Sequence, residues 1–239
     1  MASPLQKQRN ALLAKSGSQK VASEVSEATT DSLHIKLIEL EEDRQDMRRR
    51  FNARADRIAH KRDVLIPKYR ALAERYLESG EQYQNPVFTS LVLWLFDVEA
   101  METALDWCFK AIERELPTPD YIKRDWPTFC ADQVLEWAER ESERGHSIEP
   151  YFSQVFEKVR HEWRLNEQVN AKWFKFAGLL LLRDDEGKPR ATAVGDIETL
   201  EKAKALLVEA NKQHDKIGVG TMISKIDQRI SALETGKNL

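Results

Sequence analysis

PVFTSLVLWLFDVEAMETALDWCFKAIERE, residues 86–115, is the most apolar stretch of the chain. Val87, Leu91 and Leu95 share one helical face, and Val92, Trp94, Phe96 and Val98 fill most of the rest. A helix that is apolar all round is a buried helix. Asn85 and Pro86 mark its start: Asn accepts amide hydrogens of the first turn, and Pro suits a position whose N–H has no helical partner. Leu116 and the Pro117-Thr118-Pro119 run after it end the block. With this stretch at the centre, and no segment of strict apolar–polar alternation, the chain is predicted to be all-α.

Downstream, a helix around Phe129–Arg144 carries Phe129, Val134, Leu135, Trp137 and Ala138 and stops at Gly145. Ser147 and Glu149-Pro150 start another over Tyr151–Trp163, and a further one covers Val169–Leu182. The loop RDDEGKPRATAVGD, residues 183–196, separates these from a final hairpin. Gly195-Asp196 caps its first helix, with Ile197, Leu200, Ala203, Leu207 and Ala210 on one face. The second helix carries Met222, Ile223, Ile226, Ile230 and Leu233. The pair reads as a tetratricopeptide-like αα-hairpin, although no repeat period covers the chain.

Upstream, Lys68–Glu78 continues helical to Ser79-Gly80. Before it lies a heptad seam, with Leu37, Arg44, Phe51, Ile58 and Leu65 at a, and Leu33, Leu40, Met47, Arg54 and Lys61 at d. Its three basic interruptions disfavour a long two-stranded coil and suit a helix in a bundle or an oligomeric ring. Asp31 or Ser32 caps the start, and Pro67 marks a kink or break. Residues 1–30, rich in Ser, Lys, Gln, Ala and Thr, read as a mobile tail with room for one short helix over Leu5–Lys15. The organisation expected is therefore a tail over 1–30, a long basic helix over 31–78 for DNA contact, oligomerisation or both, a central helical domain over 85–182, and a hairpin over 196–235.

A length of 239 residues allows one large domain or two small ones. No apolar run approaches the ~20 residues that span a bilayer, and MASPLQKQRN lacks the apolar core of a signal peptide. Cys108 and Cys130 fit a reduced, cytoplasmic thiol pair, each filling a helical core position. Lys and Arg number 37 against 40 Asp and Glu, but the balance is uneven along the chain. Residues 1–80 carry 16 basic and 12 acidic residues, and residues 81–239 carry 21 and 28. From Arg44 to Arg75 there are 11 basic residues and 4 acidic. A basic segment on an acidic body points to a polyanionic partner for the segment and a different partner for the body.

No active site assembles from the residues. There is no GxxxxGK[ST] or GxGxxG phosphate loop. The cysteines lack CxxC spacing, and His60, His146, His161 and His214 are scattered without ligand spacing, so neither a metal nor a cofactor is expected. Asp184-Asp185-Glu186 is the acidic knot a metal nuclease would need, yet it sits in a Gly/Pro loop where solvated charge is ordinary. The basic helix is the stronger signal. On one helix, Arg50, Arg54, Arg57, Lys61 and Lys68 fall within about 60° of one another, beside the apolar stripe of Met47, Phe51, Ile58 and Leu65. Arg44, Arg48, Arg49 and Arg62 thicken this cationic ridge, whose spacing suits a phosphate backbone. The plainer reading is a solvated face paired with Glu39, Glu42, Asp43, Asp46 and Asp56. The tryptophans lie at helical spacing and read as core; Trp126, between Asp125 and Pro127, is the candidate for an exposed contact.

The segment LVLWLFDVEAMETALDWCFKAIERELPTP, preceded by a long charged helix starting near HIKLIELEEDRQ, resembles the small terminase subunits of temperate, cohesive-end tailed myophages. Leu93, Trp94, Asp97, Ala104 and Leu105 match that family's apolar helix before a Pro-containing turn, and MASPLQKQR and the closing hairpin look like its ends. The resemblance implies a DNA-packaging role in the bacterial host cytoplasm. Its partners would be double-stranded phage DNA, the large ATPase–nuclease terminase subunit, and further copies of the chain in a ring. Members of the group are often labelled the endonuclease subunit of terminase; since no nuclease motif is present here, that label is taken to describe the holoenzyme. The helix-turn-helix common in other small terminases cannot be placed. Two other readings stay open: a helical-repeat adaptor that binds protein only, and an endonuclease subunit that cleaves by itself.

Overall fold

The computed structural model describes residues 33–236; the expected tail over 1–30 and the caps at Asp31 and Ser32 lie outside the described residues. Among the described residues the structure is helical, and the only β-type pairing is an isolated bridge between Arg183 and Pro189. Two compact units divide between Val98 and Glu99. No helix of the described residues is long and apolar enough to cross a membrane.

The segment expected as one long basic helix is a hairpin. Helix α1 spans residues 33–50, the chain turns through Phe51-Asn52-Ala53, and α2 (Arg54–His60) runs back. Five π-helical residues, Lys61–Leu65, join α2 to α3 (Ile66–Ser79). The heptad seam therefore finds its partner within the chain: Leu40, Met47 and Leu65 are buried. Burial of each such side chain contributes roughly 1.5–3 kcal/mol. The charges agree with the fold-back, since Lys68 donates to Asp43 at 2.6 Å although 25 residues separate them.

Pro67, expected to mark a kink or break, does not interrupt the helix, which passes through the π turn and runs on to Ser79. It occupies the first turn of α3, directly after the π turn, where the Ile66 N–H reaches back to the Lys61 carbonyl. Widening the ladder to i→i+5 gives the ring room and leaves little for the missing N–H to lose. The break comes instead at residues 51–53, which contain neither Gly nor Pro.

The apolar stretch is also two helices rather than one block. Helix α4 (Pro86–Asp97) closes the first unit and is buried on every side from Val87 to Phe96. Asn85 starts it as expected: its Oδ1 accepts the Val87 and Phe88 amides, each at 3.1 Å. Within the unit α4 packs on α3, with Tyr69 beside Trp94 and Tyr76 beside Phe88.

The second unit begins with Glu99 in a left-handed conformation (φ 59°), the turn that separates α4 from α5 (Met101–Glu113). Helices α6 (Trp126–Glu143), α7 (Tyr151–His161) and α8 (Glu167–Leu180) follow. Phe152, Phe156, Trp173 and Phe176 form the aromatic core among α7 and α8, with Trp173 stacked on both phenylalanines of α7 at 5.2 and 6.0 Å. Cys108 and Cys130 are buried core thiols, as expected. Burial, with Cys108 alongside, pushes the Cys130 thiol well up. Trp126 is not exposed: as the first residue of α6 it is buried, and its ring meets Phe129 edge-on.

Helix α9 (Ile197–Gln213), capped by Asp196, packs closely on α8 and folds back into α10 (Gly220–Glu234). Leu200, Ala203, Leu207 and Ile226 are the buried centre of this C-terminal cluster. Gly178 of α8 makes the approach possible, since a Cβ there would stand 2.9 Å from Leu207.

Candidate nucleic-acid interface

The cationic ridge expected on a single helix is redistributed by the hairpin. Arg44, Arg48, Arg49 and Arg50 belong to α1, Arg54 and Arg57 to α2, Lys61 and Arg62 to the π turn, and Lys68 to α3.

Four of these side chains have structural engagements inside the first unit. Lys61 donates to Asp97 Oδ2 at 2.6 Å, with only 15% of its side chain exposed, and so ties the π turn to the end of α4. Lys68 lies between Asp43 (2.6 Å) and Glu39 (3.6 Å). Arg57 is half-buried, and its Nη1 donates to the Phe51 and Asn52 carbonyls at 3.4 and 3.3 Å. It thereby gives partners to two carbonyls of the turn that follows α1. Arg44 is also largely covered and pairs with Glu41 at 3.4 Å.

Of the remaining arginines, Arg62 lies in the π turn and the other four lie at the hairpin tip. Arg48, Arg49 and Arg50 end α1 and, at ~100° steps, fan around it. Arg54 opens α2 across the three-residue turn. Residues 48–54 hold four arginines and no acidic residue, and all four are exposed. Arg49 and Arg50 share one carboxylate, Asp46, at 3.7 and 3.1 Å. Arg48 and Arg54 make no ion pair among the described residues. Arg62 is exposed and paired only with its neighbour Asp63 at 2.9 Å. Cations in the last turn of α1 also complement its dipole, which accounts for their position without any ligand. The four exposed guanidiniums, however, outnumber the one carboxylate, Asp46, that pairs with any of them.

The acidic knot is organised differently from a metal site. Asp184 Oδ1 accepts the Glu186 and Lys188 amides at 3.0 and 2.8 Å, and Oδ2 faces Arg190 at 3.0 Å. Its carboxylate shapes the loop. Asp185 and Glu186 are not drawn into a cluster with other metal-ligating side chains among the described residues.

The tip arginines are identifiable from the sequence, but their place at a turn is not. Asn52, a turn-tolerant residue directly after the arginine run, is the one local signal of the bend.

Comparison with known proteins supplies the family. A family model described as phage small terminase subunit matches residues 37–168, from α1 into α8. A protein of Haemophilus phage HP1 (strain HP1c1) named "Probable terminase, endonuclease subunit" is 39% identical over 185 residues. That alignment covers 77% of this chain and 66% of the relative, so the chain spans just under two thirds of the relative's length. No solved structure matches the chain.

Proposed function

We propose, from the premise that this chain belongs to the phage small terminase subunit family, that it is the DNA-recognition component of a genome-packaging terminase. The observation that carries the reading is the hairpin tip, where Arg48, Arg49, Arg50 and Arg54 are exposed within a seven-residue span free of acidic residues. Guanidiniums there meet the phosphates of double-stranded phage DNA and fix the protein's position on the duplex. Arg62 extends the contact along the returning helix. Lys61, Lys68 and Arg57 hold the hairpin in the shape that presents the tip. The chain's other partners are the large terminase subunit and further copies of itself in a ring, and it works where phage DNA is packaged, in the host cytoplasm. The endonuclease in the relative's name belongs, in this reading, to the assembled terminase. Asp184, the centre of the acidic knot, is engaged in its own loop.

Binding of a duplex carrying the phage packaging region, measured against salt, tests this. Replacing Arg48, Arg49 and Arg54 together by Ala should weaken binding and flatten the log K–log salt slope by about 0.9 for each phosphate no longer neutralised. Lys61→Ala should lower stability and leave the slope as it is. An unchanged slope in the triple arginine variant removes the tip from the mechanism. Native mass spectrometry with and without the duplex separates this reading from a monomeric protein-binding adaptor, which would be indifferent to DNA.

A further inference from the structure

Helix α10 and the segment Pro189–Thr192, which enters a 3-10 turn at Ala191, border an open groove of 820 Å³ in the second unit. That is within the ~300–1,000 Å³ usual for clefts that take ligands. Met222, Lys225, Arg229 and Ala232 stand on one face of α10 at three- and four-residue spacing, and Ala191 and Arg190 face them. The floor is apolar, made by Ala191, Met222 and Ala232; the rim is cationic; no lining residue is acidic and none is aromatic.

The three cations are placed differently. Arg190 is already met by Asp184 at 3.0 Å and Glu186 at 3.6 Å. The Arg229 Nε donates to the Val194 carbonyl at 3.0 Å, which fixes the plane of its guanidinium beside the groove. Lys225 is exposed and makes no ion pair among the described residues. The face from Met222 to Ala232 is about 15 Å long at 1.5 Å per residue, enough for four or five residues of extended chain.

We propose that this groove docks an acidic peptide segment of a partner protein. An aliphatic or aromatic side chain of the segment enters the floor of Ala191, Met222 and Ala232, and flanking carboxylates pair with Lys225 and Arg229. Charge complementarity selects an anionic occupant, and the apolar floor selects one that carries a hydrophobic branch beside its charges. A nucleic acid meets the first condition but brings bases that need stacking partners, which this lining does not offer. The proposal is independent of the arginine tip, which lies on other elements.

The test uses the full chain, immobilised and screened against a random dodecapeptide library, with the Lys225→Glu variant as counter-screen. Peptides recovered by the unaltered chain should combine Asp or Glu with a Leu or an aromatic residue. A synthetic peptide of the recovered sequence should bind at least tenfold more weakly to Lys225→Glu, and more weakly in high salt. Lys225→Ala, which leaves helix propensity intact, should show a smaller loss in the same direction. Helical content and melting temperature of both variants report on folding. Recovery of nothing above the bare matrix, recovery of basic peptides, or equal binding by Lys225→Glu overturns the proposal. So does displacement of the bound peptide by an oligonucleotide in a Lys225-dependent manner, which would assign the groove to nucleic acid. The salt slope for duplex DNA should not move in these variants, so failure here is distinguishable from failure of the arginine tip.

Discussion

The Lys68 ammonium meets the Asp43 carboxylate at 2.6 Å, and the same Asp43 oxygen accepts the Tyr69 hydroxyl at 2.7 Å. One carboxylate on α1 thus holds two consecutive residues of α3, and the basic segment becomes a hairpin. Tyr69 is 1% exposed, and burial, reinforced by Asp43, pushes its phenol up. The hydroxyl therefore stays protonated and donating. The ion pair itself is partly exposed and worth little; the buried hydroxyl is the larger stake.

Asp43→Ala should accordingly cost about 1–3 kcal/mol, the penalty for a buried hydroxyl left without its acceptor. Urea unfolding measures it. Asp43→Asn keeps an acceptor and should cost less, and Tyr69→Phe in the Asp43→Ala background should recover part of the loss. Equal cost for Asp43→Ala and Lys68→Ala would show that the ion pair matters more than the hydroxyl.

Asn85 is 1% exposed and serves two amides of α4 at once. Asn85→Ala should cost about 1–2 kcal/mol, at the upper end for a helix cap because the amides are buried with it. Asn85→Asp keeps the acceptor and should lie between the two. Thermal unfolding of the three proteins gives the order.

Gly178→Ala should destabilise. The gain in helix propensity is at most about 1 kcal/mol. Against it stand approaches of 2.9 Å to Leu207 Cγ and Cδ2 and 3.1 Å to the Ala203 carbonyl, and overpacking of this kind costs about 1–3 kcal/mol. Because one of the neighbours is backbone, relaxation of the Leu207 side chain cannot relieve all of it. Combining the substitution with Leu207→Ala should give a loss smaller than the sum of the two, read from a double-mutant cycle.

Glu139 of α6 shows the opposite sign from a paired carboxylate. Although Glu139 is an exposed residue, partial desolvation of its carboxyl raises the pKa above the ordinary 4.5, against a lowering by Lys172 and with Glu143 and Glu136 adding to the rise. A carboxyl raised in the folded state disfavours folding when ionised and ceases to do so once protonated. Its penalty is present at neutral pH and disappears as pH falls through the folded value to the unfolded one. Glu139→Gln should therefore melt higher than the unaltered chain at pH 7, and the difference should close as pH approaches 4. A difference that is constant with pH would show that the carboxyl's charge is not responsible.

Much of the second unit is legible in the sequence because its signals are local. Asp196 caps α9 through the Thr199 amide at 2.8 Å, and the apolar residues of α9 and α10 recur at helical spacing and are the ones buried together. Trp126 misleads because Asp-Trp-Pro looks like a turn; the same three residues are the cap and first turn of α6, which point the indole inward. The arginines of the tip are likewise identifiable one by one. Their arrangement is not, since a phase counted along one straight helix places Arg50 with Lys68, whereas the fold puts Arg50 beside the turn and ties Lys68 to α1 through Asp43.

Residue type and short-range spacing are enough to establish that this protein is helical, where α4 and α9 begin, and that residues 44–75 concentrate positive charge. Folding in three dimensions settles the rest. The basic segment doubles back at Phe51-Asn52-Ala53, where no Gly or Pro marks the turn, and the contacts that close it span 25 residues from Asp43 to Lys68. The same closure sorts the cations into those that belong to the fold and those that face solvent. Lys61 and Lys68 are held by Asp97 and Asp43, while Arg48 and Arg54 are left exposed at the tip. A pairing between residues distant in sequence has no local signature, and so the division of one basic run into scaffold and surface emerges only when the chain is folded.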